Sequence, residues 1–218
     1  MQRKEIILNV VTLVTGACAV AVAVHSFRTQ SLSSRPGPES KSVSGREERR
    51  LLTSGHRIGP PDAKLSIIEF GDFQCPVCRA YEHVLDTMRT RYPTDFAVVF
   101  HQLPLTYHKF AYRLARMSEC AANQDRFTEM HDFLFREQVA VSATAIRRAA
   151  ERAAVPNVDD FVRCASDTTR VAVIDADKAD ATRLGLPGTP TVIVNGSIHT
   201  ADLDVRALEK LLQEGGRD

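Results

Sequence analysis

The chain is organised around the segment Phe70-Gly71-Asp72-Phe73-Gln74-Cys75-Pro76-Val77-Cys78-Arg79. An apolar, β-prone run at Leu65–Phe70 leads into it, and residues with helical spacing follow. Two cysteines separated by two residues at a strand-to-helix junction favour a redox-active pair. A helix N-terminus presents unpaired N–H groups and a positive partial charge. We therefore expect Cys75 to be stabilised as a thiolate, the form that attacks disulfides.

The residues around this pair predict an α/β domain. Pro76 suits the start of a helix over 76–91, because the first turn needs no N–H donor there. A second strand over 95–102 would complete a parallel β-α-β unit. Residues 107–184 carry helical periodicity throughout. A β-branched run at 191–194, a turn, a second strand at 198–201 and a helix over 203–213 end the pattern.

The N-terminal quarter has a different composition from the rest of the chain. Ile6–Val24 is a run of 19 residues without a charge, preceded by Arg3 and Lys4. As a helix it would be ~28 Å long, close to the ~30 Å hydrocarbon core of a bilayer. We predict an uncleaved signal anchor over residues 1–25; a cleaved signal peptide is the alternative, since small residues are available for cleavage. Residues 26–55 are rich in Ser, Arg and Pro and predict a flexible linker.

Charge and histidine spacing argue against two classes of function. The net charge of +1 divides into +4 over residues 1–55 and −3 over residues 56–218. This distribution provides no basic patch of the kind that binds nucleic acid. The seven histidines form no metal-ligand spacing with the cysteine pair. We expect neither a metal nor an organic cofactor.

The order of elements and two motifs resemble the thioredoxin superfamily, and within it the DsbA-like oxidoreductases that carry a helical insertion. The first motif is Ile68–Cys78, and the second is Gly185-Leu186-Pro187-Gly188-Thr189-Pro190-Thr191-Val192-Ile193-Val194-Asn195-Gly196. The resemblance covers residues 56–214, with the insertion at about 107–184. It implies a thioredoxin-like fold with an inserted all-helical subdomain, preceded by the transmembrane helix and the linker.

The resemblance also assigns roles to single residues. Cys75 would be the attacking sulfur and Cys78 the resolving thiol, with Pro76 and Val77 tuning the pair. Pro190, preceded by Thr189, would be cis and face the cysteines, leaving backbone free to pair with a substrate strand. Glu69 matches a buried carboxylate that exchanges a proton with Cys78. An outward-facing Glu69 is the alternative that the weak alternation of the strand leaves open.

Cys120 and Cys164 lie 44 positions apart on predicted insertion helices. Four cysteines follow the export signal, and oxidising compartments favour disulfides, so a structural bridge between these two is the favoured interpretation. Two independent buried thiols remain the alternative.

The leading hypothesis is a membrane-anchored thiol–disulfide oxidoreductase with its catalytic domain outside the cytoplasm. It would exchange the Cys75–Cys78 disulfide with cysteine-containing protein substrates, and promote disulfide formation. The resemblance implies a membrane redox partner, either a quinone-linked oxidase or an electron carrier. The same pair could serve a disulfide reductase or isomerase, or a metallochaperone that binds Cu(I) through both thiols.

Overall fold

The computed structural model describes residues 42–137 and 142–215, and these residues fold around one five-stranded sheet. The described strands are β1 (His56–Ile58), β2 (Leu65–Gly71), β3 (Phe96–Gln102), β4 (Thr191–Val194) and β5 (Ser197–His199). The described helices are α1 (Gly45–Ser54), α2 (Pro76–Arg91), α3 (Ala111–Ala122), α4 (Phe127–Arg136), α5 (Ala143–Arg152), α6 (Val158–Ser166), α7 (Ala172–Arg183) and α8 (Val205–Gly215).

The strand order is β1-β3-β2-β4-β5. Strands β2 and β3 are parallel and are joined through α2, as predicted, whereas the other pairs are antiparallel. The central strand β2 lies between β3 and β4, and Phe70 near its end is paired with Thr191 at the start of β4. This register places the residue before Thr191, Pro190, beside the turn that leads from β2 into Cys75.

The two faces of β2 are covered by separate apolar clusters, because successive side chains of a strand point to opposite faces. Ile67 belongs to the larger cluster, which also contains both cysteines of the pair. Ile68 and Phe70 belong to a smaller cluster on the other face, together with Leu51 of α1 and Ala181 of α7. Burial on both faces explains why β2 is almost continuously apolar rather than alternating.

The helical insertion lies between β3 and β4. Its helices α3 to α6 contribute apolar side chains to the larger cluster, whereas Ala181 of α7 belongs to the smaller one. Helices α3 to α7 occupy residues 111–183, inside the predicted range of 107–184. Cys120 of α3 and Cys164 of α6 form a disulfide, with their Cα atoms 5.9 Å apart. The structure therefore contains the bridge that was the favoured interpretation of these two cysteines.

The prediction of a flexible linker over 26–55 is wrong where the structure describes it, because residues 45–54 form α1. Ser44 caps this helix, and Leu51 is completely buried against the sheet. Arg50 forms an ion pair with Asp180 of α7, at 2.8 Å. These partners are distant in sequence, so the local composition, rich in charge and poor in apolar residues, did not indicate the helix.

The remainder of the predicted linker and the predicted anchor at residues 1–25 lie outside the described residues. Across 42–137 and 142–215, no helix combines the length and the apolar content that crossing a bilayer requires.

Candidate active site

Cys75 and Cys78 lie at the start of α2, directly after the central strand. Cys75 is the N-cap residue, with extended backbone, and Pro76 occupies the first helical position as predicted. Both cysteines are free thiols, Cys75 being 5% exposed and Cys78 fully buried. The strand end, the turn and the helix start thus bring one slightly accessible sulfur and one inaccessible sulfur together.

The environment of Cys75 favours its ionised form. The pKa of Cys75 is lowered to about 5, first because the S–H of Cys78 donates to its sulfur, and further through Thr189 and the N–H groups of Val77 and Cys78. Burial opposes this shift but does not overcome it. Since a free cysteine has a pKa near ~8.5, Cys75 is mostly thiolate at neutral pH, whereas an ordinary thiol is not.

Cys78 has the opposite tendency. Burial strongly raises the pKa of its thiol, and the hydrogen bond to the sulfur of Cys75 acts in the same direction. Cys78 therefore keeps its proton and donates it in a hydrogen bond to Cys75. One sulfur is prepared to attack or to leave, and the other is held beside it as a protonated partner.

The loop before β4 faces this pair. The Thr189–Pro190 peptide bond is cis, as the family resemblance implied. The thiol of Cys75 lies 3.6 Å from the carbonyl oxygen of Thr189, to which it can donate. Thr191 donates its hydroxyl to the carbonyl of Gly188 at 2.7 Å, which closes the loop on itself.

A cleft of about 220 Å³ opens between this loop and the start of α2. Its lining residues come from the two motifs and from the segment after β5: Val77, Pro187, Gly188, Thr189, Pro190 and Thr200. Val77 is 51% exposed, unusually high for a large apolar residue in the part of the chain that the structure describes. The cleft therefore offers backbone polar groups and an apolar contact directly beside the reactive sulfur.

Glu69 points into the protein, beneath the cysteine pair. The residue is completely buried, and neither carboxylate oxygen has a hydrogen-bond partner within residues 42–137 and 142–215. Burial raises the pKa of Glu69 to about 8, although the charge of Arg89 lowers it in part. The alternative of an outward-facing glutamate is wrong, because position 69 shares the face of β2 that the larger cluster and α2 cover.

Two further buried groups near Glu69 were not singled out from the sequence as part of the site. Glu82 of α2 is buried, accepts a hydrogen bond from Arg89 at 2.8 Å and has a raised pKa because of burial. His131 of α4 is also buried, and its Nε2 lies 4.0 Å from Glu82. The helical spacing of Cys78 and Glu82, four residues apart, was the available signal, since it places them on one face of α2.

Potential metal ligands come together at two places among the described residues. Glu69, Glu82 and His131 have one donor atom each within 4.8 Å of the others. Glu82 also belongs to a second group, with Asp86 and Asp132. In that second group the guanidinium of Arg89 donates to all three carboxylates, so a cation of the protein already occupies the position between them and offsets part of their charge.

Comparisons with known proteins agree with this arrangement. The sequence profile of the thioredoxin family matches residues 52–214. The chain is 36% identical over 163 residues to the Na(+)/H(+) antiporter NhaA 1 of Mycolicibacterium gilvum, a match that covers 73% of this chain and 26% of that protein. It is 33% identical over 174 residues to the Na(+)/H(+) antiporter NhaA 3 of Salinispora tropica, covering 75% and 26%. The chain thus spans about a quarter of the length of these curated relatives.

Solved structures with the same fold extend over most of this chain. BdbD from Bacillus subtilis has a TM-score of 0.67 at 19% identity, covering 82% of this chain and 98% of that one. A periplasmic thioredoxin-like protein from Salmonella enterica serovar Typhimurium has a TM-score of 0.61 at 22% identity, covering 80% and 98%. The thiol-disulfide exchange protein alpha-DsbA2 from Wolbachia pipientis has a TM-score of 0.62 at 16% identity, covering 79% and 99%. At these identities the similarity is one of fold, and that fold is DsbA-like.

Proposed function

Because this chain belongs to the thioredoxin family, we propose that it is an extracytoplasmic thiol–disulfide oxidoreductase that donates the Cys75–Cys78 disulfide to protein substrates. The observation that carries the proposal is the contrast between the two sulfurs. Cys75 is acidic and contacts Thr189, which lines the cleft, whereas Cys78 is buried and keeps its proton. A thiolate that is stabilised in the reduced protein makes the disulfide form a stronger oxidant.

The reaction consists of two exchanges through a mixed disulfide. A substrate thiolate attacks the sulfur of Cys75, the Cys75–Cys78 bond breaks, and the sulfur of Cys78 leaves and takes up a proton. A second substrate thiolate then attacks the substrate sulfur of the mixed disulfide, and Cys75 leaves as its stable thiolate. The substrate loses two electrons and gains a disulfide, while the protein gains two electrons and is left with the Cys75 thiolate and the Cys78 thiol.

The cleft supports a role in holding an extended substrate segment beside Cys75. The carbonyl group of Thr189 faces the cysteine pair, and the backbone of this loop can pair with a substrate strand. The exposed Val77 supplies an apolar contact that does not depend on one substrate sequence. These features fit cysteine-containing protein substrates in general rather than one small molecule.

The proposed location outside the cytoplasm has two supports. The Cys120–Cys164 bond is of the kind that persists in oxidising compartments. A structural neighbour of the same fold, from Salmonella enterica, is described as periplasmic. Anchoring through residues 1–25, and re-oxidation by a quinone-linked membrane oxidase or reduction by an electron carrier, complete the proposal.

Measuring the reduction potential against glutathione buffers tests the direction of electron flow. We expect a value between about −120 and −180 mV, the range of strong thiol oxidants and disulfide isomerases. A value near the thioredoxin potential of about −270 mV would instead assign the protein to disulfide reduction. If the reduced protein retains one Cu(I) per chain and loses it on oxidation, the result would favour the metallochaperone alternative over disulfide donation.

Glu69 is proposed to exchange a proton with Cys78. At pH 7 its raised pKa leaves the carboxyl protonated, so it can supply the proton that the departing Cys78 sulfur needs. Glu69→Gln is expected to slow substrate oxidation by about 100-fold, in line with the loss of a positioned proton donor. Stopped-flow measurement of exchange between pH 6 and 9 checks this, with the exposed Glu151→Gln as a control; an unchanged pH profile in Glu69→Gln would exclude the role.

Glu69→Gln is also expected to change the pH dependence of the free energy of unfolding. The folded-state pKa of Glu69 lies above its value of 4.5 in the unfolded chain, so its contribution to stability is lost as the pH rises from 4.5 to about 8. Glu69→Gln, which cannot ionise, should therefore gain stability relative to the parent across that window, at about 1.4 kcal/mol per unit of pKa shift. Denaturant unfolding of the reduced proteins at pH 4.5 and pH 8.5 measures the difference.

A further inference from the structure

Asp72 occupies the turn between β2 and α2, three residues before Cys75, and its carboxylate is completely buried. A buried carboxylate is costly unless its oxygens accept hydrogen bonds. Here Oδ1 accepts from the backbone N–H of Gln74 at 2.7 Å. Oδ2 accepts from the backbone N–H of Leu105 at 2.9 Å and from Nδ1 of His108 at 2.7 Å. The side chain thus joins the turn to the loop that follows β3.

The backbone of Asp72 contacts both members of the redox pair. Its carbonyl oxygen accepts the N–H of Cys75 at 3.0 Å. Its own N–H donates to the sulfur of Cys78, and this contact counteracts part of the upward shift of the Cys78 pKa. One residue therefore fixes the position of the attacking cysteine and provides a hydrogen bond to the resolving one.

Gln74 strengthens the same connection from the other end of the turn. Its side-chain oxygen accepts the backbone N–H of Phe110 at 2.6 Å, just before α3 begins. The turn is held by polar contacts to residues 105–110, and Asp72 supplies two of the three. Movement of this turn would change the direction of the N–H groups that stabilise the thiolate of Cys75.

We propose that Asp72 is a positioning residue that sets the redox equilibrium of the Cys75–Cys78 pair by fixing the turn in which Cys75 caps α2. This inference rests on the proposed thiol–disulfide exchange and adds a residue to it. Asp72 acts without touching the substrate: its side chain holds the turn, and the backbone of that turn holds the sulfurs.

The structure contains a matched control at Asp177 of α7. This carboxylate is also buried, accepts from Nδ1 of His101 at 2.7 Å and accepts from the backbone N–H of Gln102 at 2.7 Å. It lies on the other face of the sheet from the cysteine pair, where His101 stacks on Phe70. Asp177→Asn therefore removes the same kind of contact at similar burial, without affecting the turn before Cys75.

The test compares Asp72→Asn, Asp177→Asn and the parent in glutathione redox buffers, and follows thiolate absorbance as the reduced proteins are titrated. Asp72→Asn is expected to make the disulfide about tenfold less oxidising, which corresponds to about 30 mV for a two-electron couple. The midpoint for ionisation of Cys75 should rise by about one pH unit. Asp177→Asn should lose comparable thermal stability but keep both redox values of the parent.

Each outcome has a defined meaning. Parental redox values in a folded Asp72→Asn, or equal shifts in Asp72→Asn and Asp177→Asn, overturn the inference. If Asp72→Asn does not fold, His108→Ala takes its place, because it removes one hydrogen-bond donor to Asp72. This variant should shift the potential in the same direction, by about threefold in the equilibrium constant. An unchanged potential in His108→Ala would also overturn the inference. If the parent itself exchanges no electrons with glutathione, the proposed function fails, and the thiolate midpoints alone decide the role of Asp72.

Discussion

Replacing Cys75 with serine is expected to lower the rate of thiol–disulfide exchange by about a thousandfold or more, because a serine hydroxyl is not ionised at neutral pH and cannot form the mixed disulfide. Replacing Cys78 with serine should have a different effect. Cys75 would still attack a substrate disulfide, but the buried neighbour could no longer displace the substrate. The mixed disulfide with Cys75 should accumulate, and mass spectrometry after acid quenching would detect it.

The two variants control for each other, because they introduce the same side chain three residues apart on one helix. Circular dichroism and thermal unfolding should show that both are folded. An exchange rate in Cys75→Ser equal to that of the parent would contradict the assignment of the attacking sulfur. Accumulation of a mixed disulfide in Cys75→Ser, and not in Cys78→Ser, would reverse the two roles.

Removing the Cys120–Cys164 bond should produce the largest loss of stability among the single features described here. The bond closes a segment with a sequence separation of 44 and links α3 to α6. In the chain-entropy account, a loop of this size contributes about 4 kcal/mol. The double variant Cys120→Ala/Cys164→Ala, which leaves no unpaired thiol at either position, is expected to unfold at a correspondingly lower denaturant concentration.

The control for this prediction is exchange activity at a temperature where the double variant is folded. The contacts of Cys75 come from α2, the turn at Asp72 and the Thr189–Pro190 loop rather than from Cys120 or Cys164. The exchange rate should therefore stay close to that of the parent. A loss of stability below about 1 kcal/mol would mean that the bond constrains the unfolded chain far less than its loop length implies.

The parts of the fold that sequence predicted correctly have local signals. Apolar β-prone runs marked β2, β3 and β4, and Pro76 marked the start of α2. The cysteine pair and the Thr189–Pro190 bond were found through motifs, and the structure brings them together beside one cleft. In these segments, the local preference of the chain agrees with the fold.

Helix α1 shows what local patterns cannot supply. Half of its residues are charged, and its position depends on Arg183 and Asp180 of α7, which pair with Glu47 and Arg50. The main-chain oxygen of Leu51 also accepts from His101 of β3 at 3.0 Å. A cue was present, since Ser44 and Glu47 have the spacing of a capping box, but the two residues alone do not distinguish a helix from a polar linker.

The positions of Glu69 and its buried neighbours also depend on tertiary packing, which local sequence patterns do not reveal. Alternation in β2 was too weak to assign a face to Glu69, because the strand is covered on both sides. Glu82 and His131 approach it only once α2 and α4 pack over the sheet. The sequence identified the reactive sulfurs but gave little information about the buried charges that surround them.

The most direct test of the central claim is the pH titration of thiolate absorbance in the reduced protein, with Cys75→Ser as the blank. The structure predicts that one thiol ionises with a midpoint near pH 5 and that this signal is absent from Cys75→Ser. A single ionisation near pH ~8.5, the value of an unperturbed cysteine, would contradict the claim that the start of α2 and the neighbouring Cys78 stabilise the Cys75 thiolate.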